Sequence, residues 1–226
     1  MGRYKTLLIF DIDGTLTATN EVDAKCFAKA ICDYLKIDNL NTQWHQYKYS
    51  TDSGMLSEVF QNHCKREPFP EEITAIRNLF LELLISEFRA GNACTPIDGA
   101  VDILKLIEES EEYKAAIATG GWSRTANLKL NQANIPHQDL PKAYSDEHLN
   151  RTDIILQAAK KAQDSYQSDF EQMIYIGDRN WDYRASQQLG ICFIGIGDYF
   201  RQANLPVPVF DHYHPPHAFL QRIAEL

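Results

Sequence analysis

Four carboxylates in this chain stand where apolar runs stop, and their spacing suits them to hold a cation and to act on an anionic group. The run Leu7-Leu8-Ile9-Phe10-Asp11-Ile12-Asp13-Gly14-Thr15-Leu16 is apolar until it meets two acids, a glycine and a threonine. Asp11 and Asp13 are two residues apart, so in an extended chain both leave the same face at the carboxyl end of a strand. Two anions so close call for a counter-charge. A hard, oxygen-preferring ion such as Mg²⁺ lets both stay ionised, or divides them into one charged and one protonated carboxyl group. Gly14 permits a sharp exit from the strand, and Thr15 can hydrogen-bond back to the turn. Met173-Ile174-Tyr175-Ile176-Gly177-Asp178-Arg179-Asn180-Trp181-Asp182 repeats the design, with Asp178 at the strand tip and Asp182 one helical turn beyond it.

The elements that must position these acids read as an α/β protein. After the first strand the pattern turns helical and stays so. Asn20 is placed to cap a helix through Phe27, Ile31 and Leu35, and Thr51 to cap one carrying Met55, Leu56, Val59 and Phe60. Pro70 suits the first turn of a third, with Ile73, Ile76, Leu79, Phe80, Leu83, Leu84 and Phe88 at helical spacing. From Thr95-Pro96 onward α and β alternate. The expected order is a helix from Asp98, a strand over Ala115 to Ala118, a helix from Ser123, a short strand near Ala143 and a helix from about Arg151. The Met173 strand follows, then a helix over Arg184 to Leu189, a strand over Cys192 to Ile196, an edge strand over Val207 to Phe210 and a closing helix over Ala218 to Leu226. That rhythm is the mark of a parallel sheet with helices on both faces, whose ligands bind at the carboxyl ends of strands.

Asp11-Ile12-Asp13-Gly14-Thr15 resembles motif I of the haloacid dehalogenase superfamily, Ala115-Ala116-Ile117-Ala118-Thr119-Gly120-Gly121 resembles motif II, and Gly177-Asp178 with Asp182 resembles motif IV. Their order and spacing fit across nearly the whole chain. The resemblance implies a Rossmann-like core over residues 1–16 and 94–226, with an α-helical cap inserted as residues 17–93. It further implies a Mg²⁺-dependent phosphatase acting through an aspartyl-phosphate, with phosphoglycolate or a sugar phosphate as typical substrates. Asp11 would be the nucleophile and Asp13 the acid and base. The metal would be held by Asp11, the main chain of Asp13 and Asp178, with Asp182 orienting a water or completing the shell. Thr119 and the amide of Gly120 would bind the phosphoryl oxygens, although the same three residues read alone are a turn.

The chain departs from the family at motif III, which normally supplies a lysine. Arg151, opening a helix with Ile154, Ile155, Ala158 and Ala159 on its apolar positions, takes that place, with Lys142 as the competitor. Substrate choice is expected from the cap, where Thr51-Asp52-Ser53-Gly54 beside Tyr47-Lys48-Tyr49 offers Asp52 as a substrate contact, and where an ordinary helix cap is the plainer reading. Arg124 can reach a substrate carboxylate or face solvent. His212, His214 and His217 read as a terminal loop rather than a metal site, because Pro215 and Pro216 break their spacing. A phosphosugar mutase using the same covalent chemistry, and a catalytically idle fold serving as a binding protein, are the rival functions.

Composition narrows the field. With 226 residues and a net charge of −9, the chain can bury a sizeable core and lacks the basic surplus that a nucleic-acid surface needs. A local pocket of amides, a metal and a few cations can still hold a small phosphorylated metabolite. The five cysteines, Cys26, Cys32, Cys64, Cys94 and Cys192, form no CxxC pair and imply free thiols in a reducing compartment, hence the cytoplasm. No apolar run approaches the roughly 18 residues of a membrane span, nor is a signal peptide evident. Met1-Gly2-Arg3-Tyr4-Lys5-Thr6 matches a myristoylation pattern only formally, with Gly2 too near a core strand. Oligomeric state is not legible.

Overall fold

The computed structural model describes residues 4–203 and 205–225, so the Gly2 pattern lies outside the described residues. Strand β1 (Thr6–Phe10) sits inside a parallel sheet with β2 (Tyr113–Ala118), β3 (Lys142–Ala143), β4 (Gln172–Gly177), β5 (Cys192–Ile196) and β6 (Val209–Phe210). The order is β3-β2-β1-β4-β5-β6, six strands among the described residues. β1 pairs Ile9 with Ala116 on one side and with Tyr175 on the other. The chain therefore runs away from β1 in both directions, and the crevice at the carboxyl ends of β1, β2 and β4 is where such a sheet binds ligands.

Every residue of β1 is buried, as expected of a strand covered on both faces. Leu8 and Phe10 face α4 (Ala100–Glu108), α5 (Ser123–Gln132) and α9 (Pro216–Ile223). Leu7 and Ile9 face α6 (Arg151–Tyr166), α7 (Asn180–Leu189) and α8 (Asp198–Ala203). This is the doubly covered α/β sheet that the alternation implied.

Between β1 and α4 the chain forms α1 (Asn20–Leu35), a short 3₁₀ turn (Trp44–Gln46), α2 (Asp52–Cys64) and α3 (Pro70–Arg89). These helices bury a third cluster of their own, built on Phe27, Ile31, Leu56, Phe60, Ile76 and Phe80. Trp122, from the α5 end of β2, completes it, its indole edge-on to Phe27 and Phe80 at ring separations of 5.7 and 6.2 Å.

Several boundaries differ from the sequence expectation. The helix expected from Asp98 starts at Ala100, because Gly99 at φ +74° turns the chain into it. The helix expected from Arg184 already starts at Asn180, since Asp182 accepts from the Arg179 amide and closes the first turn. Thr19, not Asn20, is the N-cap residue of α1, and the Asn20 side chain is committed elsewhere. The edge strand is limited to Val209–Phe210, the closing helix spans Pro216–Ile223, and α8 has no counterpart in the sequence expectation. His212 and His214 lie in the loop before α9, and His217 lies within α9. All five cysteines are free, and no helix among the described residues is long and apolar enough to cross a membrane.

Candidate active site

The sheet brings the three motifs to one place. Asp11 follows β1 directly, its amide donating to Ile176 in β4, while Thr119 follows β2 and Asp178 follows β4. One carboxylate oxygen each from Asp11, Asp178 and Asp182 lies within 4.8 Å of the others, and all three residues are buried. Three oxygen donors of this kind suit a hard divalent cation. Without a cation, burial raises the pKa of all three, Asp182 to about 7 despite the pull of Arg151.

Asp13 does not join that group through its carboxylate. One oxygen accepts from the Thr19 hydroxyl at 2.5 Å, and the other from the Lys129 ammonium at 2.5 Å. Lys129 is 1% exposed and reaches Asp23 of α1 at 2.6 Å as well. Burial opposes its charge, but Asp13 and Asp23 outweigh it and hold the ammonium protonated. Sequence reasoning missed Lys129 and Asp23. The available signal was a charge on a buried stripe: Lys129 shares the inner face of α5 with Thr125 and Ala126, and Asp23 precedes Cys26 and Phe27 at helical spacing.

Arg151 lies 3.3 Å from Asp11 and 3.0 Å from Asp182, and its Nη1 donates to the Tyr175 hydroxyl at 3.2 Å. Burial disfavours the guanidinium charge, but Asp182, Tyr175 and Asp11 hold it on. Lys142, the competitor, is occupied by the carbonyls of His137, Gln138 and Leu140 and lies among neither the acids nor the hollow above them. Gly120 is required by close packing, since a Cβ there would strike the Arg151 guanidinium and stand 2.7 Å from the Ser50 carbonyl. Thr119 is buried and favours the charged form of Asp11.

Asp52 does not cap α2; Thr51 does, accepting from the Gly54 amide at 3.1 Å. Asp52 is 6% exposed and accepts from the Trp122 amide at 3.0 Å, while its own amide donates to the Gly120 carbonyl at 2.8 Å. Thr51 donates to the Leu149 carbonyl and Ser53 to that of Ser145. The start of α2 is thereby fastened to the sheet beside Gly120. Arg124 points away from the acids and bonds Asn78 of α3. At motif I, Gly14 at φ +74° leaves room for Asp178 and Asn20, which hydrogen-bond each other at 2.8 Å. A hollow of about 180 Å³ covers this arrangement and is lined by Asp11, Asp13, Asp23, Asp52, Thr119 and Arg151, among others.

The family model for haloacid dehalogenase-like hydrolases matches residues 8–196. No curated protein matches this chain. Among solved structures, a hydrolase from Pseudomonas syringae is 20% identical with a TM-score of 0.73, over 98% of this chain and 99% of that one. CbbY from Rhodobacter sphaeroides, solved in complex with phosphate, is 18% identical with a TM-score of 0.68, over 92% and 95%. A mutant of the same protein, solved in complex with xylulose-(1,5)bisphosphate, is 17% identical with a TM-score of 0.67, over 92% and 95%. The extent of the family match, with all three motifs meeting at one sheet edge, makes the conclusion plain: this chain belongs to the haloacid dehalogenase-like hydrolases.

Proposed function

We propose that this chain is a phosphatase that hydrolyses a small phosphomonoester through a phosphoryl group carried on Asp11. The carrying observation is the position of Asp11 at the tip of β1, with Arg151 3.3 Å from its carboxylate and Asp13 two residues away. An Asp11 oxygen attacks phosphorus, the bond from phosphorus to the ester oxygen breaks, and Asp13, after exchanging its Thr19 contact for the ester oxygen and taking up a proton, gives that oxygen the proton. Asp13 then takes a proton from water as the water attacks the aspartyl-phosphate, releasing inorganic phosphate and restoring Asp11. Thr119, the Gly120 amide and Arg151 hold the equatorial oxygens during both transfers.

Asp11 and Asp178 would hold Mg²⁺ together with the main-chain carbonyl of Asp13, and Asp182, whose carboxylate oxygen lies within 4.8 Å of those of Asp11 and Asp178, would complete the shell or orient a water, an all-oxygen donor set. When bound, the ion offsets the repulsion between the carboxylates and the phosphate ester. Asp182 is also engaged by Arg151, Tyr175 and the Arg179 amide, and so holds Arg151 toward Asp11. We read residues 17–93 as the cap and residues 1–16 with 94–226 as the core. CbbY's phosphate complex supports a phosphorylated ligand for a fold of this shape.

The test is phosphate release from p-nitrophenyl phosphate, phosphoglycolate, hexose phosphates and nucleotides, with Mg²⁺ and with EDTA. Release that EDTA abolishes and Mg²⁺ restores is expected. A folded protein that releases phosphate from none of them overturns the reading and moves weight to a mutase or a binding protein.

A further inference from the structure

A second, larger hollow of about 730 Å³ opens beside the catalytic one, between the segment ahead of α2 and the first turns of α6 and α7. The two share Trp44, Ser50, Arg151, Arg179 and Trp181 in their linings, so they adjoin. Their charges are opposite in character. Apart from the residues that hold the phosphoryl group, the catalytic hollow offers Asp23 and Asp52. The larger groove is lined by Lys48, Arg151, Arg179 and Arg184 and, among the described residues, by no Asp or Glu. Acids outnumber bases 31 to 22 in the chain, so this lining runs against its composition.

Lys48 and Arg184 line the groove and not the catalytic hollow; Glu58 accepts from the Lys48 main-chain amide at 2.9 Å. The Lys48 ammonium lies 4.7 Å from the Tyr49 ring centre. Arg184 is on the core side of the groove and Lys48 on the helical side, so cations stand on both of its walls. Aromatic side chains accompany the charge: Trp44 and Tyr47, both also packed against the helical cluster, lie tilted by 40° with ring centres 5.6 Å apart, and the Arg179 guanidinium lies 5.8 Å from the Tyr199 ring centre. Aromatic faces and guanidinium planes of this kind stack on planar rings. The volume is within the range of about 300–1,000 Å³ that encloses a small-molecule ligand, whereas the catalytic hollow alone is below it.

We infer that the groove receives the leaving-group end of a phosphomonoester that carries a second phosphate and a planar ring, the chemistry of a nucleoside bisphosphate. Lys48 and Arg184 draw that second phosphate outward into the larger groove. This substrate class rests on the phosphatase reading.

The deciding experiment measures binding without turnover. Adenosine 3′,5′-bisphosphate and adenosine 5′-monophosphate are titrated calorimetrically into the full chain carrying Asp11→Asn, with Mg²⁺ present. The bisphosphate is expected to bind at least tenfold more tightly. Adding Lys48→Gln and Arg184→Gln is expected to weaken it at least tenfold, with the melting temperature checked for each variant, while Lys105→Gln on α4 leaves it unchanged. Equal affinity for the two nucleotides, no binding of either, or tight binding that survives the double substitution overturns the inference. None of those results touches the phosphatase reading, which fails only if no ester releases phosphate from the unaltered protein.

Discussion

The Lys129 ammonium lies 2.5 Å from Asp13 and 2.6 Å from Asp23, with its side chain 1% exposed. One buried cation thus joins the acid expected to handle protons, on the motif I turn, to the first turn of the helical segment. Removing it strands two carboxylates. Lys129→Met is expected to destabilise the protein by about 3–5 kcal/mol in urea unfolding. The double variant with Asp23→Asn should recover part of the loss, because only one carboxylate then lacks its partner. A single variant as stable as the parent would contradict the ion-pair account.

Asp11→Asn and Asp13→Asn are each expected to abolish phosphate release without unfolding the chain. Burial raises the Asp11 pKa, so replacing its carboxylate with a neutral amide should leave the urea midpoint unchanged or raise it. Near-normal turnover in either variant would sink the covalent mechanism.

Tyr175 connects Arg151 to Asp182 from beneath, its hydroxyl 3.2 Å from one and 3.1 Å from the other. Tyr175→Phe removes that link and leaves the ring's packing intact, at an expected cost of about 1–3 kcal/mol in stability. A looser Arg151 should also lower kcat by about tenfold, equivalent to ~1.4 kcal/mol in the barrier, with KM little changed. A change confined to KM would show that Arg151 serves ground-state binding alone.

Glu72 at the start of α3 accepts both arms of the Arg66 guanidinium, at 2.6 and 2.8 Å, and the Phe69 amide at 2.7 Å. The hydrogen bonds from Arg66 lead in lowering its pKa, to about 2 from an ordinary 4.5. A carboxyl group lowered on folding stabilises above its unfolded value and loses that contribution as pH falls through the folded one. Glu72→Gln should therefore lower the melting temperature by a constant amount from about pH 5 to 7, and the gap should close toward about pH 2. A gap independent of pH would assign the loss to packing.

Legibility in the sequence followed a physical division. Asp11, Thr119 and Asp178 were readable because each follows an apolar strand run, and a parallel sheet brings such ends together. Arg151 was readable through its place at the head of α6. Lys129, Asp23 and the Tyr175 hydroxyl were not read, since an isolated polar group on a buried stripe resembles noise until its partner, more than 100 residues away for Lys129 and Asp23, is known. Asn20 was misplaced for a related reason. A residue suited to capping its own helix can serve instead as a donor to a distant acid, here Asp178.

Trp122 belongs by sequence to the strand-to-helix turn of the sheet, yet its indole is packed among Phe27, Phe80 and the Arg77 guanidinium. The helical segment is therefore not a self-contained module that could be transplanted. Grafted onto another sheet, it would carry a hole the size of an indole, and the sheet left behind would present a bare tryptophan to water. Moving the segment intact would require the residue after Gly121 to travel with it, although that residue lies in the turn between β2 and α5.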